Sequence, residues 1–157
     1  MVYNLPNRIK MENIKNLKIF VVDDDPFCAE MYKEHLLSTG YANITSYNNG
    51  QDCINHLTEQ PDIIFLDYNM APLDGLEVLK KIKRFNPDIY LVVLSGQADM
   101  QVAINALKYG AFDYIIKGES DLDMINVVLQ KIKNVMEMLE KKSAKPWYIP
   151  KIMLSLF

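Results

Sequence analysis

The sequence predicts an α/β fold in which a parallel sheet carries helices on both faces. Three observations predict it. Short apolar, β-branched runs recur at Ile19-Phe20-Val21-Val22, Ile63-Ile64-Phe65-Leu66, Leu91-Val92-Val93-Leu94 and Tyr114-Ile115-Ile116, as strands buried on both faces require. Helix-period segments alternate with these runs, so each strand feeds a right-handed crossover back to the next. Each run also ends on polar residues able to do chemistry: Asp23 and Asp24, Asp67, Ser95 and Lys117. In an open doubly wound sheet the carboxyl ends of the strands border the ligand crevice, which brings these five residues to one edge.

The elements follow in order. After a polar lead over residues 1–16, a strand at 18–22 runs into Asp25-Pro26, an N-cap followed by proline at the first helical position. That helix ends at Gly40, with Cys28, Met31, Tyr32 and Leu36 as its inward stripe and Glu30, Lys33 and Glu34 facing water. A weaker strand is predicted at 43–47. Asn49-Gly50 opens a helix with Cys53, Ile54 and Leu57 on one face, and Pro61 precedes the strand at 62–66. A loop with a turn leads to a helix at 75–84, a strand at 89–94, a helix at 98–109 and a strand at 112–116. From Asp121 the residues Leu122, Ile125, Leu129, Ile132, Met136 and Leu139 form a heptad seam, with Val128 and Val135 beside it. They predict a long last helix of about twenty residues, whose part beyond about 133 stands clear of the sheet and could pair with a second copy. The tail at 144–157 is too apolar for a free end and too short to span a membrane.

Composition narrows the function. The chain has 157 residues, 50% hydrophobic and 24% charged, which fits one ordinary globular domain. A net charge of −3 with both signs interspersed leaves no basic stripe, so direct nucleic-acid binding is not expected. Cys28 and Cys53 lie inside helical patterns and match no zinc spacing, and they are expected as small core residues. The absence of a long apolar run and of a secretion-signal core leads to an expectation of no membrane contact and a cytoplasmic location.

Three carboxylates, from Asp23, Asp24 and Asp67, would crowd one crevice and repel each other. A hard divalent cation answers that crowding, and Mg²⁺ suits a site of a few carboxylates, a carbonyl and water. Asn69, two residues past Asp67, is placed to offer that carbonyl. A carboxylate beside such a cation can act as nucleophile towards a phosphoryl group, with Lys117 as the compensating ammonium and Ser95 as a hydroxyl donor.

The stretches Val21-Val22-Asp23-Asp24-Asp25-Pro26, Pro61-Asp62-Ile63-Ile64-Phe65-Leu66-Asp67-Tyr68-Asn69-Met70, Leu73-Asp74-Gly75, Leu94-Ser95-Gly96 and Gly110-Ala111-Phe112-Asp113-Tyr114-Ile115-Ile116-Lys117 together resemble the receiver domain of two-component response regulators. The resemblance covers residues 17–135 and implies a flavodoxin-like (βα)5 sheet with strand order 2-1-3-4-5. The N-terminal extension, 1–16, and the end of the last helix with the apolar tail, 136–157, lie outside it. Position by position it implies that Asp67 is the phosphoacceptor and that Asp23, Asp24, Asp67 and the Asn69 carbonyl surround Mg²⁺. Lys117 is implied as the phosphate-binding lysine, Ser95 as the switch hydroxyl and Tyr114 as the aromatic that turns inward on activation. The implied partners are a sensor histidine kinase or phosphotransfer protein and a downstream protein target, with a homodimer through the last helix or the face of units four and five. Phosphorylation then drives a conformational switch; the domain is regulatory rather than an enzyme, despite slow self-dephosphorylation. Ala71 and Gly118 stand where the family usually has proline, with Pro72 one place late. Two other readings fit parts of the pattern. One is a pseudo-receiver scaffold never phosphorylated, which Gly118 alone favours. The other is an aspartate-nucleophile phosphohydrolase, which Asp23-Asp24-Asp25 loosely matches without the residues that should follow.

Overall fold

The computed structural model describes residues 11–96 and 100–143. Five strands, β1 (Lys18–Val22), β2 (Asn43–Tyr47), β3 (Ile63–Asp67), β4 (Tyr90–Ser95) and β5 (Asp113–Ile116), alternate with five helices, α1 (Pro26–Ser38), α2 (Gly50–Asn55), α3 (Gly75–Phe85), α4 (Met100–Lys108) and α5 (Asp121–Ser143). All four strand pairings are parallel, and the order is β2-β1-β3-β4-β5, as the resemblance implies. Readings that fall on 1–10, on the start of the helix at 98 and on the tail at 144–157 lie outside the described residues.

Side-chain alternation along the strands divides the core in two. Ile19, Val21, Ile63, Phe65, Val92 and Leu94 point to the face covered by α1 and α5, against Tyr32, Leu36, Ile125, Val128 and Ile132. Phe20, Val22, Ile64, Leu66, Leu91 and Val93 point to the other face, against Cys53 of α2, Val78, Leu79 and Ile82 of α3 and Ala106 of α4. Burial on both faces explains why the strand sequences read as unbroken apolar runs.

Local chemistry sets the helix starts. Asp25, Asn49 and Asp74 each cap a helix by accepting a backbone N–H within the first turn, from Phe27, Asp52 and Glu77 respectively. The stripe expected on α1 is corrected in detail: Ala29, Tyr32 and Leu36 are buried, while Cys28 and Met31 are partly buried at the edge of the core. Tyr32 and Leu36 share one face four residues apart, and the small Ala29, three residues before Tyr32, lies on the same side. The polar lead is also more structured than expected. Met11–Asn16 forms a 3-10 turn, and Ile14 joins the core beside Leu17.

Helix α5 spans 23 residues. Its seam is buried at Ile125, Leu129, Ile132 and Met136, whereas Met138 and Leu139 are 58% and 56% exposed. The part of the helix that stands clear of the sheet therefore begins after Met136 rather than near 133.

Gly75 sets the loop that follows β3. Its N–H donates to the Tyr68 carbonyl at 2.9 Å, and a Cβ there would lie 2.5 Å from Tyr68 Cα and 2.7 Å from the Asp67 carbonyl oxygen. Both are backbone atoms that no rotamer change can move aside. Gly75→Ala is expected to destabilise the fold by roughly 1–3 kcal/mol, read as a lower urea midpoint, and to weaken any activity that depends on Asp67; an unchanged midpoint would contradict this packing.

Candidate functional site

The polar residues that end the strand runs meet at the carboxyl edge of the sheet. Asp23 follows β1, Asp67 closes β3, Ser95 closes β4 and Lys117 follows β5. Strands β1 and β3 are neighbours, yet the chain leaves them towards opposite faces of the sheet, and this reversal opens the crevice.

Within it, the Lys117 ammonium lies 2.7 Å from Asp23 Oδ2 and 3.1 Å from Asp67 Oδ1. Asp23 is fully buried and Asp67 is 3% exposed. The other Asp23 oxygen accepts the Asp25 N–H at 2.9 Å, and Asp67 Oδ1 also accepts the Asn69 N–H at 3.4 Å, which sets the Asn69 backbone beside the carboxylate. Lys117 is held by its own backbone too, since its N–H donates to the Ser95 carbonyl at 2.8 Å. Ser95 itself is buried. One ligand oxygen each from Asp23, Asp24 and Asp67 lies within 4.8 Å of the others.

The charges are unequally placed. Burial, then the nearby Asp23 charge, push the Asp67 carboxyl above its ordinary value despite Lys117. For Lys117, burial works to lower the pKa, but the hydrogen bond and charge of Asp23, followed by those of Asp67, hold it above the ordinary lysine value. The ammonium therefore stays charged, and the crevice holds more carboxylates than the single lysine neutralises. An oxygen-only donor set of three acids with this surplus fits a hard divalent cation.

Asp23, Asp24, Asp67, Ser95 and Lys117 gather as the sequence predicts, although Asp24 is exposed at the rim. Tyr114 on β5 is partly buried against the α3 side of the core. Two contributors were not singled out in the sequence. The Gly118 N–H donates to Asp121 Oδ2 at 3.3 Å, and the same oxygen accepts the Tyr32 hydroxyl at 2.7 Å. A signal for Asp121 exists, an acid three residues past the loop glycine and opening a helix; nothing in the sequence pairs it with Tyr32.

Strand order and site position together define a flavodoxin-like domain of the doubly wound class with an acidic crevice at its switch point. The chain belongs to the response regulator receiver domain family, which matches residues 19–129. It is 36% identical over 117 residues to the transcriptional regulatory protein ZraR of Escherichia coli K12, a match covering 74% of this chain and 26% of ZraR. It is 30% identical over 101 residues to the chemotaxis protein CheY of Thermotoga maritima, covering 64% of this chain and 84% of CheY. A response regulator receiver domain protein from Clostridium thermocellum has a crystal structure that superposes with a TM-score of 0.71 at 26% identity, covering 78% of this chain and 98% of that one. The chain thus spans about a quarter of ZraR but most of CheY. Receiver domains are regulatory signalling domains, and among the described residues no helix is long and apolar enough to cross a membrane.

Proposed function

We propose that this chain is a phosphorylation switch in which Asp67 accepts a phosphoryl group from a sensor histidine kinase or phosphotransfer protein. The observation that carries this reading is a nearly buried Asp67 carboxylate, 3.1 Å from the Lys117 ammonium, at the carboxyl end of the central strand. Response regulators interact with histidine kinases. In transfer, an Asp67 oxygen bonds to phosphorus as the bond from phosphorus to the donor imidazole nitrogen breaks, and the imidazole takes up a proton. Lys117 meets the negative charge that builds on the transferring oxygens. Asp23, Asp24, Asp67 and the Asn69 carbonyl would hold Mg²⁺, which when bound neutralises charge on the phosphoryl oxygens.

The new charge at Asp67 then biases two conformations, with Ser95 and Tyr114 moving towards it. The output is a changed protein contact, with a downstream target or a second copy, through the last helix or the face of α4, β5 and α5. Exposed Ile104, Leu107, Ile116 and Val127 on that face support this. A cytoplasmic location and the lack of direct nucleic-acid contact by this domain complete the reading, since the kinase reaction uses cytoplasmic phosphoryl donors and the chain has no basic stripe.

Incubation with Mg²⁺ and acetyl phosphate tests it. Intact mass is expected to rise by one phosphoryl group and to fall back with time as water hydrolyses the acyl phosphate, with no rise when the metal is chelated beforehand; a mass that never changes would overturn the reading. Asp24→Ala is expected to weaken Mg²⁺ binding by on the order of 10–100-fold, measured by calorimetry. Because Asp24 is exposed, metal-free stability should stay within about 0.5 kcal/mol of the parent; unaltered Mg²⁺ affinity would remove Asp24 from the ligand set.

A further inference from the structure

The loop that carries Lys117 is tied down from behind. Asp121, the first residue of α5, takes the Gly118 N–H at 3.3 Å and the Tyr32 hydroxyl at 2.7 Å on one oxygen, and its own N–H donates to the Gly118 carbonyl at 3.3 Å. Asp121 is 6% exposed and Tyr32 1%, an interior setting in which hydrogen bonds hold geometry more firmly than in water. Burial and the Asp121 carboxylate keep the Tyr32 hydroxyl protonated far past the ordinary tyrosine range, so it remains a donor. The helix N-terminus favours the negative charge of Asp121 as well.

Gly118 is not required for space or for backbone conformation. A Cβ there would meet nothing within 4 Å, and its φ lies outside the left-handed region. What the position contributes is an N–H. On the other side of Lys117, the backbone is fixed to Ser95 at 2.8 Å. The lysine stem thus leaves a backbone pinned on both sides, and its ammonium reaches two carboxylates at once.

We propose that Asp121, held by Tyr32, is a positioning residue for Lys117: it fixes the Gly118 amide and thereby sets where the ammonium stands for phosphoryl transfer. The consequence for rate rests on the phosphoacceptor reading of Asp67; the consequence for loop order does not. Asp121 touches no reacting group, so its effect on rate runs through the placement of Lys117, and a misplacement of an ångström is enough to cost roughly ten- to a hundredfold in rate.

The test compares Tyr32→Phe, Asp121→Ala, Asp121→Asn and Gly118→Ala in the full chain. Phosphorylation by acetyl phosphate at saturating Mg²⁺, Mg²⁺ affinity and amide hydrogen exchange at Lys117 are measured for each. Asp121→Ala is expected to slow phosphorylation by roughly tenfold or more and to speed Lys117 exchange, with Mg²⁺ affinity unchanged. Tyr32→Phe should show a smaller effect in the same direction. Gly118→Ala keeps the N–H, and Asp121→Asn keeps an oxygen that accepts both bonds, so both should stay within a few-fold of the parent. Equal losses in Asp121→Asn and Asp121→Ala would overturn the proposal, as would parental rate and exchange in Asp121→Ala. If Asp121→Ala does not fold, Tyr32→Phe decides, and parental Lys117 exchange in it overturns the anchor. If the parent takes up no phosphoryl group, the phosphoacceptor reading fails and exchange alone decides: faster Lys117 exchange in Asp121→Ala but not Asp121→Asn supports the anchor, and no difference overturns it.

Discussion

Asp67→Asn is expected to abolish phosphoryl incorporation completely while raising the melting temperature of the metal-free protein. The amide has the volume of the carboxylate and can still accept from Lys117 and from the Asn69 N–H, so the packing survives while the nucleophile is lost. The gain in stability follows from the sign of the Asp67 shift. Its native pKa is raised, chiefly by burial and then by the Asp23 charge, so folding binds protons more tightly than the unfolded chain does. Stability from this group is therefore fully present only at low pH and falls as pH rises through the raised value. At neutral pH the parent carries that penalty and the amide variant does not. Melting curves across pH should show the advantage of Asp67→Asn shrinking as pH drops towards the ordinary aspartate range. Mass spectrometry that finds the variant labelled, or an advantage that grows on acidification, would refute the assignment.

Lys117→Met is expected to produce the opposite stability effect. It removes the cation that lies 2.7 Å from a fully buried Asp23 and 3.1 Å from Asp67, and leaves both carboxylates without a counter-charge. Loss of one partner from a buried ion pair costs about 3–5 kcal/mol, and the partial exposure of the lysine side chain, 20%, places the expected loss near the lower end, about 3 kcal/mol. Added Mg²⁺ should recover more stability in this variant than in the parent, because a divalent cation between the same carboxylates replaces the missing charge. Phosphorylation should nevertheless stay slow, by on the order of a hundredfold, since charge on the transferring oxygens loses a fixed donor. Chemical denaturation with and without Mg²⁺ reads the first effect and acetyl phosphate kinetics the second; a parental denaturation midpoint without metal would show that Lys117 does not balance the acids.

Much of this arrangement was legible in the chain because burial on both faces writes itself into strand composition. Ile63-Ile64-Phe65-Leu66 admits no solvent face, so its first polar neighbour, Asp67, had to fall at an edge. Helix starts were legible for the same kind of reason: Asp25 and Asn49 are cap residues, and each caps where expected, while Asp74 caps the helix expected at 75–84. The inward face of α1 was less so. Cys28 and Met31 fit the apolar period, but which positions lie deepest depends on how α1 sits on the sheet, and a small buried Ala29 has no distinctive signature. Ile14 was hidden within a lead that is polar on average. The Tyr32 contact with Asp121 was beyond reach, because 89 residues separate the two and neither is unusual where it stands. Local pattern reports an element's face and its ends; a single long-range polar contact leaves no periodic trace.

Helix α5 is rooted one short turn from Lys117 and continues to Ser143, with its last buried contact at Met136. At 1.5 Å per residue, its 23 residues make a rod about 34 Å long. Burial holds this rod against the sheet as far as Met136, so only the residues beyond it, about 10 Å of helix, project past the core. The exposed Met138 and Leu139 ride on that tip. Any shift of α5 as a body across the sheet therefore carries this apolar surface with it, at a distance from the crevice.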